Sequence, residues 1–445
     1  MKDSVWRKFV DLIRLLRSVP GERSAFLRRE HDRLGRPLSC LARVYRHFLL
    51  RRTRVVAVVG SLGKTTTRRA LSAALGCPER NFSYSNYGAS LAGNLLRVRR
   101  RDRHAVLEAG VAGPGPMAGY AAMLRPDLVV VTSIKSDHNR SFPTLLDTRA
   151  EKVNMVRGLS ADGVAVLNGD DPHVRWMASQ TPARVVTFGL NDDNDVRATD
   201  LRPSPSGMTF TAVLPGGSVE VHTRFTGAHM IYPFLAALAV ADLEGVPLDA
   251  AAARLAGVVP ADSRMELLCL QNGITILDDS LKGTLESVHA ALDAFAELPA
   301  IRRIVLFGGI EQPPGKQGDL NREIGRRLGA MADAVLCLGS KKSMSSIRAG
   351  AVAAGLSLEQ VLIFSSGINQ VVDWLQRELR PGDALLIKGK GTLGLRRVVL
   401  RLQGVPVTCA VAYCGVKVPS CDVCPLLDAP PELFRNRYIA RYVRW

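Results

Sequence analysis

The sequence predicts an α/β chain: a P-loop central domain with a mostly parallel, doubly wound sheet, a smaller Rossmann-like C-terminal α/β domain, and a helical N-terminal extension. Three observations predict this fold. An apolar strand runs directly into a short glycine loop that ends in Lys64-Thr65. Strands and helices then alternate over residues 54–263, and a second alternation begins near Ile274. In residues 1–54, apolar residues recur at helical spacing between basic ones.

The loop after the first strand is the most informative part of the chain. It follows the predicted strand 55–59 and precedes a helix that is predicted from Arg68 onward. Glycines let backbone N–H groups approach an anion, the helix N-terminus adds its dipole, and a lysine adds a point charge. The usual pattern has a glycine where Val58 stands, so this loop is a shortened form, and the alternative is an ordinary strand-to-helix turn. The residues predicted to contact a nucleoside triphosphate are Gly60, Ser61, Gly63, Lys64, Thr65 and Thr66, with Thr65 on its Mg²⁺.

Composition limits the classes of protein to consider. The 445 residues suffice for two or three domains, and 47% of them are apolar, which is enough for their cores. The formal net charge is +18, with about 15 Lys and Arg against about 5 Asp and Glu as far as Arg54. Such a surface fits nucleic acid, an anionic membrane or anionic metabolites. Aromatic residues make up only 6% of the chain and show no interleaved pattern, which argues against nucleic acid.

The chain contains neither an apolar run of about 18 residues nor a signal-peptide pattern, so we expect a cytoplasmic protein. Residues 1–54 predict basic helices broken at Pro20-Gly21 and Gly35-Arg36-Pro37. They would either pack on the main domain or contact the inner face of the membrane.

The predicted parts are an N-terminal extension (1–54), a central ATP-binding domain (55–262), a C-terminal α/β domain (263–405) and a Cys-rich tail (406–445). An antiparallel excursion is predicted over residues 185–221. Other predicted elements are strands 105–109, 128–133, 164–167, 274–278, 304–308, 334–338 and 384–387, and helices 233–243 and 285–296.

Two further polar residues stand where strands of the predicted sheet end. Glu108 ends strand 105–109, and His138 follows strand 128–133. In a doubly wound sheet, ligands bind outside the carboxyl ends of the strands, so we expect both side chains to face the phosphate loop. A carboxylate and an imidazole beside a triphosphate suit a divalent ion. Each alone would be an ordinary cap or loop residue; together they indicate a site.

These motifs together resemble the Mur ligases, a superfamily of ATP-dependent enzymes that form amide bonds. The phosphate loop is similar to the family's short ATP loop, and Glu108-Ala109-Gly110 to its Glu-x-Gly magnesium segment. Lys152 falls on the family's carbamylated lysine. The remaining landmarks, in the expected order, are Thr132-Ser133-Ile134 through His138, Gly227-Ala228-His229, Ser263-Arg264-Met265-Glu266, Asp278-Asp279-Ser280 and Lys388-Gly389. The resemblance covers about residues 54–405 and is closest to the type that adds D-alanyl-D-alanine.

The resemblance implies a mechanism. ATP would bind between the central and C-terminal domains and phosphorylate a carboxylate, and an amine would attack the resulting acyl phosphate. Two Mg²⁺ ions would accompany the reaction. By this resemblance, Lys64, His138 and Lys152 would be catalytic, and Arg264 and Asp279 would contact the nucleotide. Thr65 would bind one Mg²⁺. The second Mg²⁺ would be bound by Glu108, His138 and carbamylated Lys152.

Three departures from the family pattern shape the expected function. Met230 and Pro233 stand where the family has asparagines that contact adenine, so nucleotide preference is expected to differ. Residues 281–285 read Leu-Lys-Gly-Thr-Leu and not Tyr-Asn-Ala-Asn-Pro, with Lys282 and Thr284 closer to the D-glutamate-adding type. Residues 1–54 are too short and too helical for a UDP-sugar domain. We therefore expect a substrate other than a murein precursor.

The tail contains four cysteines within 16 residues. Their spacing, C-x₄-C-x₆-C-x₂-C, would suit a structural Zn²⁺ or an Fe–S cluster. Only the last pair has strong ligand spacing, and the first lies in an alternating apolar run, so unligated thiols are the equal alternative. The four candidate ligands are Cys409, Cys414, Cys421 and Cys424.

The resulting hypothesis is an ATP-dependent carboxylate–amine ligase acting on an amino-acid polymer, a carrier-bound intermediate or a natural-product intermediate. Its partners would be a small-molecule carboxylate and a small-molecule amine. One alternative is a muramyl-peptide ligase whose UDP-sugar-binding part is supplied by a partner protein. The other is a nucleotide-binding subunit without catalysis, against which Lys64, Glu108, His138 and Lys152 argue.

Overall fold

The structure, a computed structural model, describes residues 35, 37–78, 86–204, 206–365, 367–415, 420–424, 426–429 and 443–444. The described residues fold into two compact units, one that ends at residue 260 and one that begins at residue 261. Residues 37–49 form a helix, α1, as predicted for the end of the extension. The helices predicted before it lie outside the described residues. The division into four parts stays a prediction.

The first unit is built on an eight-stranded sheet in the order β2-β1-β3-β4-β5-β6-β7-β8. Neighbouring strands are parallel from β2 to β6, and β6, β7 and β8 are antiparallel. The strands are β1 (Arg54–Val59), β2 (His104–Glu108), β3 (Leu128–Val131), β4 (Val164–Asn168), β5 (Arg184–Gly189), β6 (Val196–Ser204), β7 (Gly207–Leu214) and β8 (Gly217–Thr223). After α1, the helices are α2 (Lys64–Ala74), α3 (Gly88–Leu96), α4 (Pro116–Leu124), α5 (Leu145–Arg157), α6 (Pro172–Arg175), α7 (Tyr232–Leu243) and α8 (Leu248–Leu255).

Helices cover both faces of this sheet. Val56 and Val58 of β1 pack with α2, α7 and α8, whereas Val55 and Val59 pack with α1, α3, α4 and α5. Alternate residues of a strand point to opposite faces, so a strand covered on both sides reads as a continuous apolar run. This explains why the valine-rich strand before the phosphate loop shows no alternation with polar residues.

The second unit has a six-stranded sheet in the order β13-β12-β11-β14-β10-β9, in which only β9 is antiparallel to its neighbour. The strands are β9 (Glu266–Cys269), β10 (Thr275–Asp279), β11 (Arg302–Gly308), β12 (Ala334–Leu338), β13 (Val361–Phe364) and β14 (Asp383–Gly389), followed by a short pair, β15 (Tyr413–Cys414) and β16 (Val443–Arg444). The helices are α9 (Leu285–Ala296), α10 (Gln317–Met331), α11 (Lys341–Ala353), α12 (Asn369–Glu378) and α13 (Arg396–Leu402).

Most predicted elements are confirmed, with shifts at their ends. β3 stops at Val131, two residues earlier than predicted. The Thr132 N–H still donates to the Val59 carbonyl of β1, but the Ser133 carbonyl accepts from the Ser61 N–H of the phosphate loop. α2 starts at Lys64, before the predicted Arg68. The antiparallel excursion starts later than predicted, since β5 is parallel to both β4 and β6. Within the described residues, no helix is long and apolar enough to cross a membrane.

Candidate functional site

The phosphate loop packs closely against the segment that follows β3. Gly60 has φ +146°, and a Cβ placed on it would lie 1.9 Å from the Thr132 hydroxyl oxygen. The Ser61 N–H donates to the Ser133 carbonyl at 2.8 Å. Gly63 has φ +80° and caps the first turn of α2. Only glycine fits both positions without strain, so the backbone of the loop is set by these two residues.

The Lys64 side chain folds back onto the phosphate loop. Its ammonium group donates to the carbonyl oxygens of Gly60 at 2.9 Å and Ser61 at 3.0 Å. These carbonyls are weaker partners than a phosphate oxygen, because the charge of an anion strengthens a hydrogen bond. A phosphate bound in the loop would therefore be a stronger partner for this ammonium group than the two carbonyls.

Thr65 and Glu108 meet at the carboxyl edge of the sheet. The Thr65 hydroxyl donates to Glu108 Oε2 at 3.0 Å, and the Asn86 amide donates to Glu108 Oε1 at 2.6 Å. Nearby, burial lowers the pKa of the Arg68 guanidinium, while the Glu108 carboxylate raises it. Sequence reasoning missed Asn86, which lies in a segment without a recognisable motif, and Arg68.

Lys152 is buried and reaches the phosphate loop from α5. Its ammonium group donates to the Ser61 hydroxyl at 2.9 Å, and that hydroxyl donates to the Lys135 carbonyl at 3.0 Å. The preceding residue, Glu151, also points inward: its carboxylate accepts the N–H groups of Gly115 and Met117, both at 2.8 Å, at the start of α4. Lys152, which the resemblance assigns to the carbamylated lysine, is therefore buried beside the phosphate loop.

His138 lies in the same segment as Lys135, beyond β3. Its backbone is left-handed, with φ 57°, and its Nε2 lies 3.6 Å from an oxygen of the Asp137 carboxylate. The Lys135 N–H donates to the Ser61 hydroxyl at 3.0 Å, so the whole segment borders the phosphate loop. The structure thus brings Thr65 to Glu108 and Lys152 to Ser61, and it places His138 at the same edge of the sheet.

The donor set at this edge fits Mg²⁺, which prefers oxygen ligands and keeps several waters. Thr65 supplies a hydroxyl and Glu108 a carboxylate. An unmodified Lys152 ammonium group donates a hydrogen bond and cannot bind a metal; only its carbamate offers oxygens. In the part of the chain that the structure describes, no three His, Cys, Asp or Glu side chains form a metal-binding group. The magnesium ligands therefore stay a prediction.

Asp279 and Lys388 pair at the carboxyl edge of the second sheet. The buried Lys388 ammonium group contacts the Asp279 carboxylate and donates to the Lys282 carbonyl at 2.6 Å and the Ser287 hydroxyl at 3.1 Å. Burial lowers the pKa of Lys388, and Asp279 raises it. Both Asp279 oxygens are engaged, since Oδ1 accepts the Met265 N–H at 3.1 Å. Asp279 therefore has a structural role here, and its nucleotide contact stays a prediction.

Arg264 lies between two residues with left-handed backbone, Ser263 (φ 57°) and Met265 (φ 52°). Ser263 donates to the fully buried Asp278 carboxylate at 2.9 Å, which also accepts from Arg396 at 3.0 Å. Sequence reasoning missed this buried network. Arg264 itself is half-exposed, and its contact with a phosphate stays a prediction.

The tail is fixed to the second unit by two consecutive arginines. The Arg396 guanidinium binds the Asp422 carboxylate at 2.9 Å through two nitrogens. The buried Arg397 donates to the carbonyls of Cys409 at 2.9 Å and Val411 at 2.8 Å, and lies 3.3 Å from Cys409 Sγ.

The Zn²⁺ or Fe–S site predicted for the tail is not supported. All four candidate cysteines are described, yet no three of the described His, Cys, Asp and Glu side chains are arranged to hold a metal. Cys409, Cys414 and Cys424 instead belong to a small apolar cluster with Val411 and Leu426. Cys409 is buried beside Arg397, and the other three thiols are half-buried.

The chain matches known protein families over both units. Residues 58–241 match the Mur ligase middle domain, and residues 263–391 match the Mur ligase glutamate ligase domain. The chain belongs to the Mur ligase superfamily. As a Mur ligase it is an ATP-dependent enzyme that forms amide bonds.

Curated relatives and solved structures agree with this assignment. The UDP-N-acetylmuramoyl-tripeptide–D-alanyl-D-alanine ligase of Escherichia coli K12 is 29% identical over 303 residues, 67% of each chain. The enzyme of the same name from Mycobacterium tuberculosis H37Rv is 27% identical and covers 77% of this chain and 72% of its own. Among solved structures, MurF from Acinetobacter baumannii has a TM-score of 0.72 at 22% identity, covering 82% of this chain and 80% of that one. MurF from Thermotoga maritima, solved with ADP, has a TM-score of 0.72 at 21% identity and covers 83% of both chains.

Proposed function

We propose that this Mur ligase activates a carboxylate as an acyl phosphate and joins it to an amine, with a substrate other than a murein precursor. The substrate would be an amino-acid polymer, a carrier-bound intermediate or a natural-product intermediate. The observation that carries the chemistry is the buried contact of Lys152 with Ser61 at 2.9 Å, beside the contact of Thr65 with Glu108 at 3.0 Å. The phosphates of ATP, the Mg²⁺ ions and the carboxylate substrate would then all bind at one edge of the first sheet.

Each residue has a physical task in this proposal. Lys64 neutralises the charge that develops on the transferring phosphoryl group, and the glycine loop orients the phosphates with its N–H groups. Thr65 would hold one Mg²⁺, which supplies charge neutralisation when bound. Glu108, His138 and Lys152, the last as a carbamate, would hold a second Mg²⁺ near the carboxylate substrate. Arg264 and Asp279 would contact the nucleotide from the second unit.

The segment after β10 supports a different substrate. Its residues Leu281 to Leu285 depart from the pattern of the type that adds D-alanyl-D-alanine. Gly283 is tightly enclosed there, since a Cβ would lie 2.8 Å from the Gly389 carbonyl oxygen. The Thr284 hydroxyl is buried and finds no hydrogen-bond partner among the described residues.

A muramyl-peptide ligase that works with a sugar-binding partner protein is the second candidate. The 29% identity with the E. coli ligase favours it. The two candidates differ in the carboxylate that the enzyme activates, and both require the same ATP chemistry.

Trapping with hydroxylamine tests the proposal. The pure protein is incubated with ATP, Mg²⁺, bicarbonate, hydroxylamine and a small-molecule extract of its host, and hydroxamates are sought by mass spectrometry. Hydroxylamine intercepts acyl phosphates, so we expect an ATP-dependent hydroxamate that identifies the carboxylate. Lys64→Ala should abolish it, and Lys341→Ala, at an exposed lysine of the second unit, should not. A muramyl hydroxamate would instead establish the second candidate, and the absence of both hydroxamate and ADP would contradict the ligase chemistry.

A further inference from the structure

Helix α1 carries an apolar stripe that faces away from the core. Ala42 and Arg46, with Leu50 directly after the helix, form its buried side. Leu41, Val44 and Phe48 are 56%, 53% and 57% exposed. Residues spaced by three and four share a face of a helix, so these three lie on one face, opposite the buried side. The stripe is therefore part of the surface even though the helix is firmly packed.

α1 is held in this orientation by Arg46. Its buried guanidinium donates to the carbonyls of Leu50 at 2.6 Å and Leu124 at 2.9 Å and to the Asp127 carboxylate at 2.8 Å. Burial of this cation without these partners would be costly, so the contacts fix the rotation of the helix about its axis. The stripe cannot turn inward without breaking them.

Basic residues flank the stripe on one side. Arg43 and His47 of α1 and Arg125, at the end of α4, line a groove of about 410 Å³ together with Val44, Phe48 and Ala122. The Arg51 guanidinium lies 5.6 Å from the centre of the Phe48 ring. Residues 37–54 contain no Asp or Glu.

An arginine-rich loop flanks the other side. The Tyr45 hydroxyl donates to the Val98 carbonyl at 2.7 Å, and the Arg54 N–H donates to the Arg103 carbonyl at 2.8 Å. These bonds hold the loop of residues 97–103, which reads Arg-Val-Arg-Arg-Arg-Asp-Arg, beside α1. All five of its arginines are exposed. We call the stripe, its flanking cations and this loop the basic–apolar face.

We propose that the basic–apolar face docks the protein onto an anionic lipid bilayer. An amphipathic helix that lies in a membrane interface has this arrangement, with apolar side chains at the acyl boundary and cations at the headgroups. Nucleic acid would pair with the arginines but offers no apolar phase for Leu41, Val44 and Phe48. A bilayer is wide enough to meet the helix and the loop at once. On the proposed function, docking would place the ligase beside a carboxylate carried on a membrane-anchored carrier.

Vesicle sedimentation of the full chain tests this. Vesicles of phosphatidylglycerol and phosphatidylcholine in equal amounts are compared with phosphatidylcholine alone, at low and high salt, without ATP. We expect the chain to sediment only with the anionic vesicles and to be released by salt. Arg99→Glu, Arg100→Glu and Arg101→Glu together should weaken binding more than about a hundredfold, since each cation near an anionic surface changes partitioning about fivefold.

Val44→Ser with Phe48→Ser should weaken binding about tenfold or more, because less apolar area is buried. The matched controls lie in the second unit: Arg326→Glu, Arg377→Glu and Arg380→Glu for charge, and Ile301→Ser with Leu358→Ser for exposed apolar area. Both controls should bind like the wild type, and all variants should keep its thermal unfolding midpoint.

Three results would overturn the proposal. Equal binding by the serine variant means a purely electrostatic contact, as with nucleic acid or an acidic protein. Equal loss in the charge control means that net charge alone matters. Unchanged binding by both test variants assigns the contact to another part of the chain, such as residues 1–34. Because no ATP is present, failure here leaves the hydroxylamine result of the ligase unaffected.

Discussion

The ammonium group of Lys152 donates a hydrogen bond of 2.9 Å to the hydroxyl of Ser61, inside the phosphate loop. These residues are far apart in sequence and come from different elements, α5 and the loop after β1. The contact places a buried, modifiable amine where a nucleotide's phosphates and a carboxylate substrate would meet. It gives the carbamylation proposal a defined location.

Lys152 should carry a carbamate in the working enzyme. With ¹³C-bicarbonate, we expect a carbamate carbon signal in the NMR spectrum that is absent in Lys152→Arg. The arginine variant keeps the charge but cannot form the carbamate, so its kcat should fall at least about a hundredfold, as for loss of a transition-state ligand. A carbamate signal that persists in Lys152→Arg, or full activity of that variant, would contradict the assignment.

Thr65 and Glu108 should set the Mg²⁺ requirement. Thr65→Val removes the hydroxyl ligand, and Glu108→Gln replaces the anionic carboxylate by a neutral amide, both with little change in side-chain volume. The Mg²⁺ concentration for half-maximal ADP formation should therefore rise about tenfold or more in each. Thr65→Ser retains the hydroxyl and should behave nearly as the wild type. An unchanged Mg²⁺ dependence in Glu108→Gln would remove that residue from the metal site.

Gly60 should tolerate no side chain. A Cβ there would lie 1.9 Å from Thr132 Oγ1, so Gly60→Ala should lower the free energy of unfolding by about 2 kcal/mol and abolish nucleotide binding. A Cβ placed on Gly119, within α4, would meet nothing within 4 Å. Gly119→Ala should therefore stabilise the protein by about 0.5–1 kcal/mol. Denaturant unfolding measures the change in the free energy of unfolding for both variants. Equal changes would show that the short distance to Thr132 Oγ1 does not limit substitution at Gly60.

Low pH should destabilise the first unit because Glu244 becomes protonated. Hydrogen bonds from His104 and Arg54 lower the pKa of Glu244 from 4.5 to about 2. A depressed carboxyl pKa stabilises the fold above the unfolded value, and this stabilisation is lost as pH falls from about 4.5 toward 2. Glu244→Gln should reduce the free energy of unfolding at pH 7 by about 2 kcal/mol and flatten its decline over that range. An unaltered pH profile in Glu244→Gln would show that another carboxylate is responsible.

The tail thiols should react slowly. Burial raises the pKa of Cys421 to about 12 and of Cys424 to about 11, and the thiolate is the reactive form. Cys40 and Cys269 are exposed and should be alkylated first at neutral pH, as peptide mass spectrometry would show. Arg397→Met removes the donors that hold the tail and should speed labelling of Cys421 and Cys424 about tenfold or more. Fast labelling of these two cysteines in the wild type would contradict the packing described for the tail.

Much of the fold could be predicted because its signals are local. The β1 strand and phosphate loop form a strand, turn and helix start in a single stretch of chain, and α9 lies at its predicted bounds of Leu285–Ala296. β9 and β13, the two edge strands of the second sheet, were not predicted. For the tail, cysteine spacing left a metal site and unligated thiols as equal alternatives, and the arrangement of the described side chains does not support the metal.

By itself, the sequence determined the α/β class, the phosphate loop and the family, since glycine positions, strand periodicity and ordered motifs are properties of short segments. Only the tertiary structure decided which distant side chains meet. It turned Lys152 inward to Ser61, joined Asn86 to Glu108, and left Val44 and Phe48 outside beside the arginine loop. The physical reason is that helix rotation and strand order depend on long-range packing, which no local pattern records.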